Sequence, residues 1–189
     1  IVQETYDQVH THPKSLGAKV QGYRNALEAS FPPDQIYGII TCTRQIIPPF
    51  EETCDWFMDE MGASFLCCVA YKASGFAAEH LDWEAPVPDL KRVCEYRAKK
   101  CGEHWLKIGP TEVGCLFCNT TFFVNPDGQV RPCPTMHGEE VVAGNIYQES
   151  LVEIYRDHKN LLLYNFEVHG PCGSCENNPW CRGCRSNAY

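Results

Sequence analysis

Between residues 36 and 71 the chain sets two unbroken apolar runs around one stretch of helical spacing. Ile36 to Thr43 (IYGIITCT) is apolar and β-branched, the composition of a strand. Pro48 and Pro49 follow it. From Glu51 to Met61, the residues Cys54, Phe57, Met58 and Met61 recur at i, i+3, i+4 and i+7. That is one face of a helix, with acidic residues in its first turn and Gly62 as a C-terminal stop. Ser64 to Tyr71 (SFLCCVAY) is apolar throughout, which predicts a strand buried on both faces. Pro86 and Pro88 introduce another helix at about Asp89 to Lys100, and an earlier one is expected over Gln21 to Ser30. Strand, helix, strand, helix with short connections predicts parallel βα units and an α/β fold. So few units leave an open sheet edge and a small core. Residues 1–110 are therefore expected to be part of a larger barrel or open sheet whose N-terminal half is missing.

From Thr111 the pattern changes, and residues 111–189 read as a second, small domain rich in Cys, Gly and Pro. Thr121–Val124 and Gln129–Arg131 flank Asn125-Pro126-Asp127-Gly128, a hairpin whose turn uses the fixed φ of proline and the left-handed freedom of glycine. Ser150-Leu-Val-Glu153 is a capping box. The short helix it opens carries Leu151, Ile154, Tyr155 and His158 on one face.

Composition narrows the function classes. A net charge of −8 argues against a nucleic-acid partner, whose phosphates call for clustered Lys and Arg. No stretch approaches the roughly 18–20 apolar residues of a membrane span, and the N-terminus carries no basic-then-apolar leader. A cytoplasmic location is expected. The first residue is Ile1 rather than Met, which suggests processing or a fragment. The most informative number is 13 cysteines. Cys42, Cys54, Cys67, Cys68, Cys94 and Cys101 are scattered, and most sit in apolar runs or helix faces where thiols act as small buried hydrophobes. Cys115, Cys118, Cys133, Cys172, Cys175, Cys181 and Cys184 crowd the second region in close pairs. An odd total without a secretory leader favours metal ligation over disulfides.

The hairpin returns Cys133 towards the Cys115-x2-Cys118 knuckle, so three thiols are expected to converge at its open end. Near the C-terminus, Cys172-x2-Cys175 and Cys181-x2-Cys184 are separated by five residues. Zinc ribbons usually separate their knuckles by about 12–20 residues; zinc stays open as an alternative, but the dense run resembles iron–sulfur ligation. In two-cluster ferredoxins the last Cys of a run ligates the other cluster. Applied here, that crossing gives one set of Cys115, Cys118, Cys133 and Cys184, and a second of Cys172, Cys175 and Cys181. The total of seven is one short of the eight that two closed [4Fe-4S] sites use. Either an eighth ligand lies beyond Tyr189, the expected case, or one cluster keeps an open iron. His137 and His169 lie near these cysteines, and imidazole does occur in iron–sulfur sites.

These residues resemble a family. Cys118-x9-Gly128-x4-Cys133, then Cys172-x2-Cys175-x5-Cys181-x2-Cys184, is similar to the SPASM domain, the auxiliary-cluster module of many radical S-adenosylmethionine (SAM) enzymes. Asn125 to Cys133, Gly144-Asn145-Ile146, Ser150-Leu151-x2-Ile154 and Cys181-Arg-Gly-Cys-Arg185 fit it too. Two residues before Cys184 replace the commoner three, and the family's terminal cysteine lies a little further on. The resemblance implies the same crossing of ligands and a shared architecture: the C-terminal half of a radical SAM partial (β/α) barrel, followed by the Cys-rich SPASM domain.

By the same resemblance, Gln3-Glu4-Thr5-Tyr6 looks like the end of a middle barrel strand. Glu4 and Arg24 then take the positions that contact the SAM ribose or carboxylate. Gly75 matches the glycine after the sixth strand, whereas Ile47 stands where many members have Asn. The implied activity of the intact protein is that of an oxidoreductase using a 5′-deoxyadenosyl radical for hydrogen abstraction. Auxiliary clusters would transfer electrons or bind substrate, with Arg131, Arg182 and Arg185 as nearby charges. The implied partners are a peptide, protein or small-molecule substrate and an electron donor such as a flavodoxin or ferredoxin. The CxxxCxxC motif that holds the SAM-cleaving cluster is not in this sequence. A non-catalytic electron-transfer or scaffold subunit is therefore the competing reading, and a zinc-stabilised binding module a third. The acidic, Pro-rich stretch Glu79 to Asp89 is a candidate for shaping a substrate mouth.

Overall fold

The computed structural model describes residues 3–10, 12, 15–102, 121–163, 168–181, 184 and 186. Helices α1 (Gln3–Val9) and α2 (Ser15–Glu28) precede strand β1 (Tyr37–Cys42). Helix α3 (Phe50–Asp55) runs on as a π-helical turn, Trp56–Glu60, and leads to β2 (Phe65–Ala70) and α4 (Val87–Cys101). The two strands pair in parallel, from Tyr37 opposite Phe65 to Cys42 opposite Ala70, so α3 and its π turn form the crossover expected of a βα unit.

One sheet face is closed along both strands, and the other is open along β1 alone. Ile40, Cys42, Leu66 and Cys68 pack against Phe50 and Cys54 of α3 and Leu90 and Val93 of α4. Helix α4 reaches this core through Leu90, Val93, Cys94, Arg97 and Ala98, the i, i+3, i+4, i+7, i+8 stripe of an amphipathic helix. On the opposite face Tyr37 and Ile39 are 63% and 68% exposed. The expectation that β2 is buried on both faces holds for Phe65 to Cys68, none above 6% exposed. Gly62 takes φ +69° after the π turn, as a C-terminal stop requires.

The N-terminal segment differs from its expected form. Gln3 to Tyr6 belong to helix α1, not to a strand end. The four residues lack strand alternation, and their partners lie one helical turn on: Gln3 donates to Asp7 at 2.6 Å, and Tyr6 stacks on His10. Such i,i+4 pairs favour helix over strand. Helix α2 starts at Ser15 rather than Gln21, because Gly17 and Gly22 face open space and are tolerated within it. Among the described residues the parallel sheet has two strands, so the chain is a mixed α/β structure with small sheets.

The cysteine-rich region builds a second, antiparallel sheet. Strand β4 (Gln129–Arg131) lies between β3 (Phe123–Val124) and β5 (Gly144–Asn145). The expected turn closes the hairpin: the Gly128 amide donates to Asn125 O at 2.9 Å, and Gly128 takes φ +85°. A Cβ there would sit 2.5 Å from Asn145 Oδ1, so both conformation and space demand glycine. Helix α5 (Leu151–Leu162) opens with the capping box, Ser150 and Glu153 each accepting from the other's backbone amide. Its expected face is corrected in part. Ile154 is buried against Val130 and Ala143, but Leu151 and Tyr155 are 40% and 42% exposed. The helix kinks at His158, and Leu162, fully buried, takes over the inner face. Short helices α6 (Gly170–Gly173) and α7 (Asn178–Cys181) carry Cys172 and Cys181, with Cys175 and Cys184 in the segments after them. The expected domain boundary near residue 110 lies outside the described residues.

Candidate metal centre and adjoining cavity

Of the seven clustered cysteines, Cys115 and Cys118 lie outside the described residues, and so does the side chain of Cys181. Cys133 follows β4 directly and is buried. The loop it opens is clamped from within: the Arg131 guanidinium, 5% exposed, donates to the carbonyls of Met136 (3.2 Å) and Gly138 (2.9 Å). Arg131, expected as a charge beside a cluster, thus spends these donors on the backbone of the cysteine loop. Arg182 and Arg185 lie outside the described residues. Cys172 and Cys175 are partly buried at α6, where the Cys175 amide donates to Cys172 O at 3.4 Å and closes the knuckle turn. Cys184 is partly buried as well.

The link between the hairpin and the terminal run comes from hydroxyls. Cys133 Sγ lies 3.2 Å from Thr135 Oγ1, and Thr135 Oγ1 lies 2.5 Å from Ser186 Oγ. Ser186, two residues after Cys184, is 3% exposed, and its carbonyl accepts from Lys72 Nζ in the segment after β2. Glu176 pairs with Lys91 at 2.8 Å, and Asn177 donates to Glu95 at 3.2 Å. The terminal run therefore returns both to the hairpin and to α4. Among the described residues, no three Cys, His, Asp or Glu side chains are gathered around one metal position. His137 and His169 are exposed. Soft thiols in two backbone segments held side by side fit an iron–sulfur centre.

The other cysteines behave as the sequence suggests. Cys42, Cys54, Cys67, Cys68 and Cys94 are at most 6% exposed. Burial pushes the Cys54 thiol up to about 12 and that of Cys67 to about 11. A hydrogen bond with Cys42, and then burial, raises Cys68 further. Thiols held protonated in this way are poor ligands and poor nucleophiles.

A cavity of about 450 Å³ opens toward the carboxyl ends of β1 and β2, where parallel α/β sheets place their ligands. It is lined by Thr41 and Thr43 at the end of β1, by Tyr6, Lys19 and Tyr23 of α1 and α2 with His10 between them, and by Tyr71 and Trp83 from the segment after β2. The π turn brings Trp56 and Phe57 to it as well, a common use of such turns. Lys19 Nζ stands 5.1 Å from the Tyr6 ring centre. Burial and then the Lys19 charge hold the His10 imidazole below its ordinary value. Thr43 is 4% exposed, and its Oγ1 has no hydrogen-bond partner, an orphaned group that invites a ligand.

Glu4 and Arg24, the expected SAM contacts, are exposed on α1 and α2 and do not line this cavity; their neighbours Thr5, Tyr6 and Tyr23 do. His10 and Trp83, which line the cavity, stand in no motif that marks them in the sequence. The signal available was the Leu16, Lys19, Val20, Tyr23 spacing, one face of a helix. Ile47, in the position of the family's Asn, is buried in the core, and its carbonyl accepts from Arg92. The Glu79–Asp89 stretch does fold beside the cavity: Glu84 bridges to Thr43, and Trp83 O accepts from the Arg44 amide. Among the described residues, no helix is long and apolar enough to cross a membrane.

Residues 115–185 match the family model SPASM, an iron-sulfur cluster-binding domain, as expected for the C-terminal SPASM domain of a radical SAM enzyme. The match spans all seven clustered cysteines. No curated protein and no solved structure matches the chain.

Proposed function

We propose that this SPASM-bearing chain belongs to a radical SAM/SPASM oxidoreductase, supplying part of its partial barrel and the auxiliary-cluster domain. The observation that carries the reading is the family match over the paired cysteines, supported by the hydroxyl contacts that join the Cys133 loop to the Cys184 segment. Cys115, Cys118, Cys133 and Cys184 would hold one cluster, and Cys172, Cys175 and Cys181 the other. When bound, SAM and the clusters supply one-electron chemistry for hydrogen abstraction.

The chain's own residues bind, orient and shield. The cavity offers aromatic walls, the Lys19 cation and the orphaned Thr43 hydroxyl. That set suits a ligand with a flat ring, hydroxyls and a carboxylate, which describes SAM. A peptide, protein or small-molecule substrate would approach past the Glu79–Asp89 stretch, and a flavodoxin or ferredoxin would supply electrons in the cytoplasm.

The test is metal analysis of anaerobically purified protein, with sulfide assay. About eight iron atoms per chain are expected for two cubane clusters; zinc without sulfide would overturn the reading in favour of a zinc-stabilised module. Equilibrium dialysis with SAM, run on the intact protein that also carries the CxxxCxxC segment, separates the enzyme from a non-catalytic electron-transfer subunit. Saturable binding that Thr43→Val weakens supports the enzyme, and no binding supports the subunit.

A further inference from the structure

We infer that Thr135 is a positioning residue for the Cys133 sulfur, aimed by Ser186, and that this hydroxyl pair sets the reduction potential of the centre Cys133 holds. The inference rests on the iron–sulfur reading proposed above. Its geometry is the continuous chain from Cys133 Sγ to Thr135 Oγ1 (3.2 Å) to Ser186 Oγ (2.5 Å). Between a neutral thiol and two hydroxyls, either end of each contact can donate. Metal ligation removes that freedom. A ligating cysteine is a thiolate, and a thiolate only accepts. Thr135 must then donate to Sγ, which leaves its oxygen as acceptor for the Ser186 hydroxyl. Loss of one proton at Cys133 thus fixes the direction of the whole chain.

Both hydroxyls are held from behind. Ser186 is 3% exposed, with its carbonyl accepting from Lys72. Thr135 sits in the loop that Arg131 clamps through Met136 and Gly138. A donor aimed at a ligating sulfur withdraws charge from it and favours the reduced centre, so the potential rises. Lys72 follows Tyr71, which lines the cavity. The contact chain from the sulfur thus ends one residue from the cavity edge.

The experiment compares the full chain with Thr135→Val, Thr135→Ser and Ser186→Ala, each purified anaerobically. Iron and sulfide content, far-ultraviolet circular dichroism and the midpoint potential from a redox titration followed by electron paramagnetic resonance are measured. Val matches Thr in shape but cannot donate. Thr135→Val is expected to retain the fold and shift one midpoint to more negative potential. Thr135→Ser should restore it, and Ser186→Ala should give a smaller shift of the same sign. Loss of iron in the Val variant with retention in the Ser variant also supports the assignment. An unchanged potential in Thr135→Val, or equal defects in the Val and Ser variants, overturns it. A parent chain without iron sinks the cluster reading and this inference with it, and the metal analysis distinguishes that failure from the others.

Discussion

Six cysteines precede residue 110 and seven follow it, and the two sets live in different surroundings. In the α/β region Cys42, Cys54 and Cys68 share one core with Ile40, Phe50, Leu66, Leu90 and Val93. There the sulfur fills space, and burial keeps the proton on it. In the cysteine-rich region the described cores are small, one around Cys133, Met136 and Val141 and another around Val130, Ala143, Ile154 and Leu162. Cores of that size rarely hold a fold together without staples, and Cys172, Cys175 and Cys184 stay partly buried rather than joining them. The same residue type is therefore structural filling in one region and, on the iron–sulfur reading proposed above, the means of cross-linking in the other. Cys133 adds a contact with the Thr135 hydroxyl, whereas Cys54 sits in an apolar core.

The largest expected effect follows from that contrast. Metal ligation contributes folding free energy where the apolar core does not, so anaerobic chelation of iron should unfold the two regions unequally. Amide protection should fall across the β3–β5 sheet and the terminal helices while persisting in β1 and β2. In mildly alkaline buffer, iodoacetamide should then label Cys172, Cys175 and Cys184 but spare Cys54, Cys67 and Cys68, read out by peptide mass spectrometry. Equal loss of protection in both regions would break the comparison.

A core truncation probes it from the other side. Leu66, fully buried between the strands and α3/α4, should cost about 2–5 kcal/mol as Leu66→Ala, the range for a buried leucine that leaves a cavity. Thermal unfolding measures the loss. Iron content should stay at the parent value, because among the described residues none of the clustered cysteines shares that core; iron lost in step with stability would mean that the two regions fold as one unit.

How much of this was legible in the sequence follows from the range of the interactions involved. The βαβ order could be read because apolar runs and the Cys54, Phe57, Met58 spacing are local patterns. The hairpin and the capping box were legible because Asn-Pro-Asp-Gly and Ser-x-x-Glu are short and mechanistic. The Gln3–Val9 helix was misread as a strand end because a resemblance outweighed the i,i+4 pairs Gln3–Asp7 and Tyr6–His10. The π turn at Trp56 leaves no pattern that distinguishes it from the α-helix it extends. The candidate metal residues were visible from CxxC spacing, but Thr135 and Ser186, 51 residues apart, were not. A hydroxyl that serves a sulfur across that separation has no local signature, and the same is true of the cavity that α1, α2 and β1 enclose together.

The smallest effect concerns that cavity, and its sign can be worked out. His10 stacks on Tyr6 at 3.9 Å, and burial together with the Lys19 charge lowers its pKa from 6.5. In the unfolded chain the imidazole takes up a proton near that ordinary value, whereas in the folded chain it does so only at lower pH. Below the ordinary value the unfolded state thus binds more protons, and stability falls as pH falls until the folded imidazole also titrates. Above it, His10 is neutral in both states and contributes no pH dependence. Melting temperatures of the parent and His10→Gln should therefore run parallel near pH 8 and converge towards about pH 5, across the range in which histidine titrates. Parallel curves over the whole range would mean that neither burial nor the Lys19 charge lowers the His10 pKa in the folded chain.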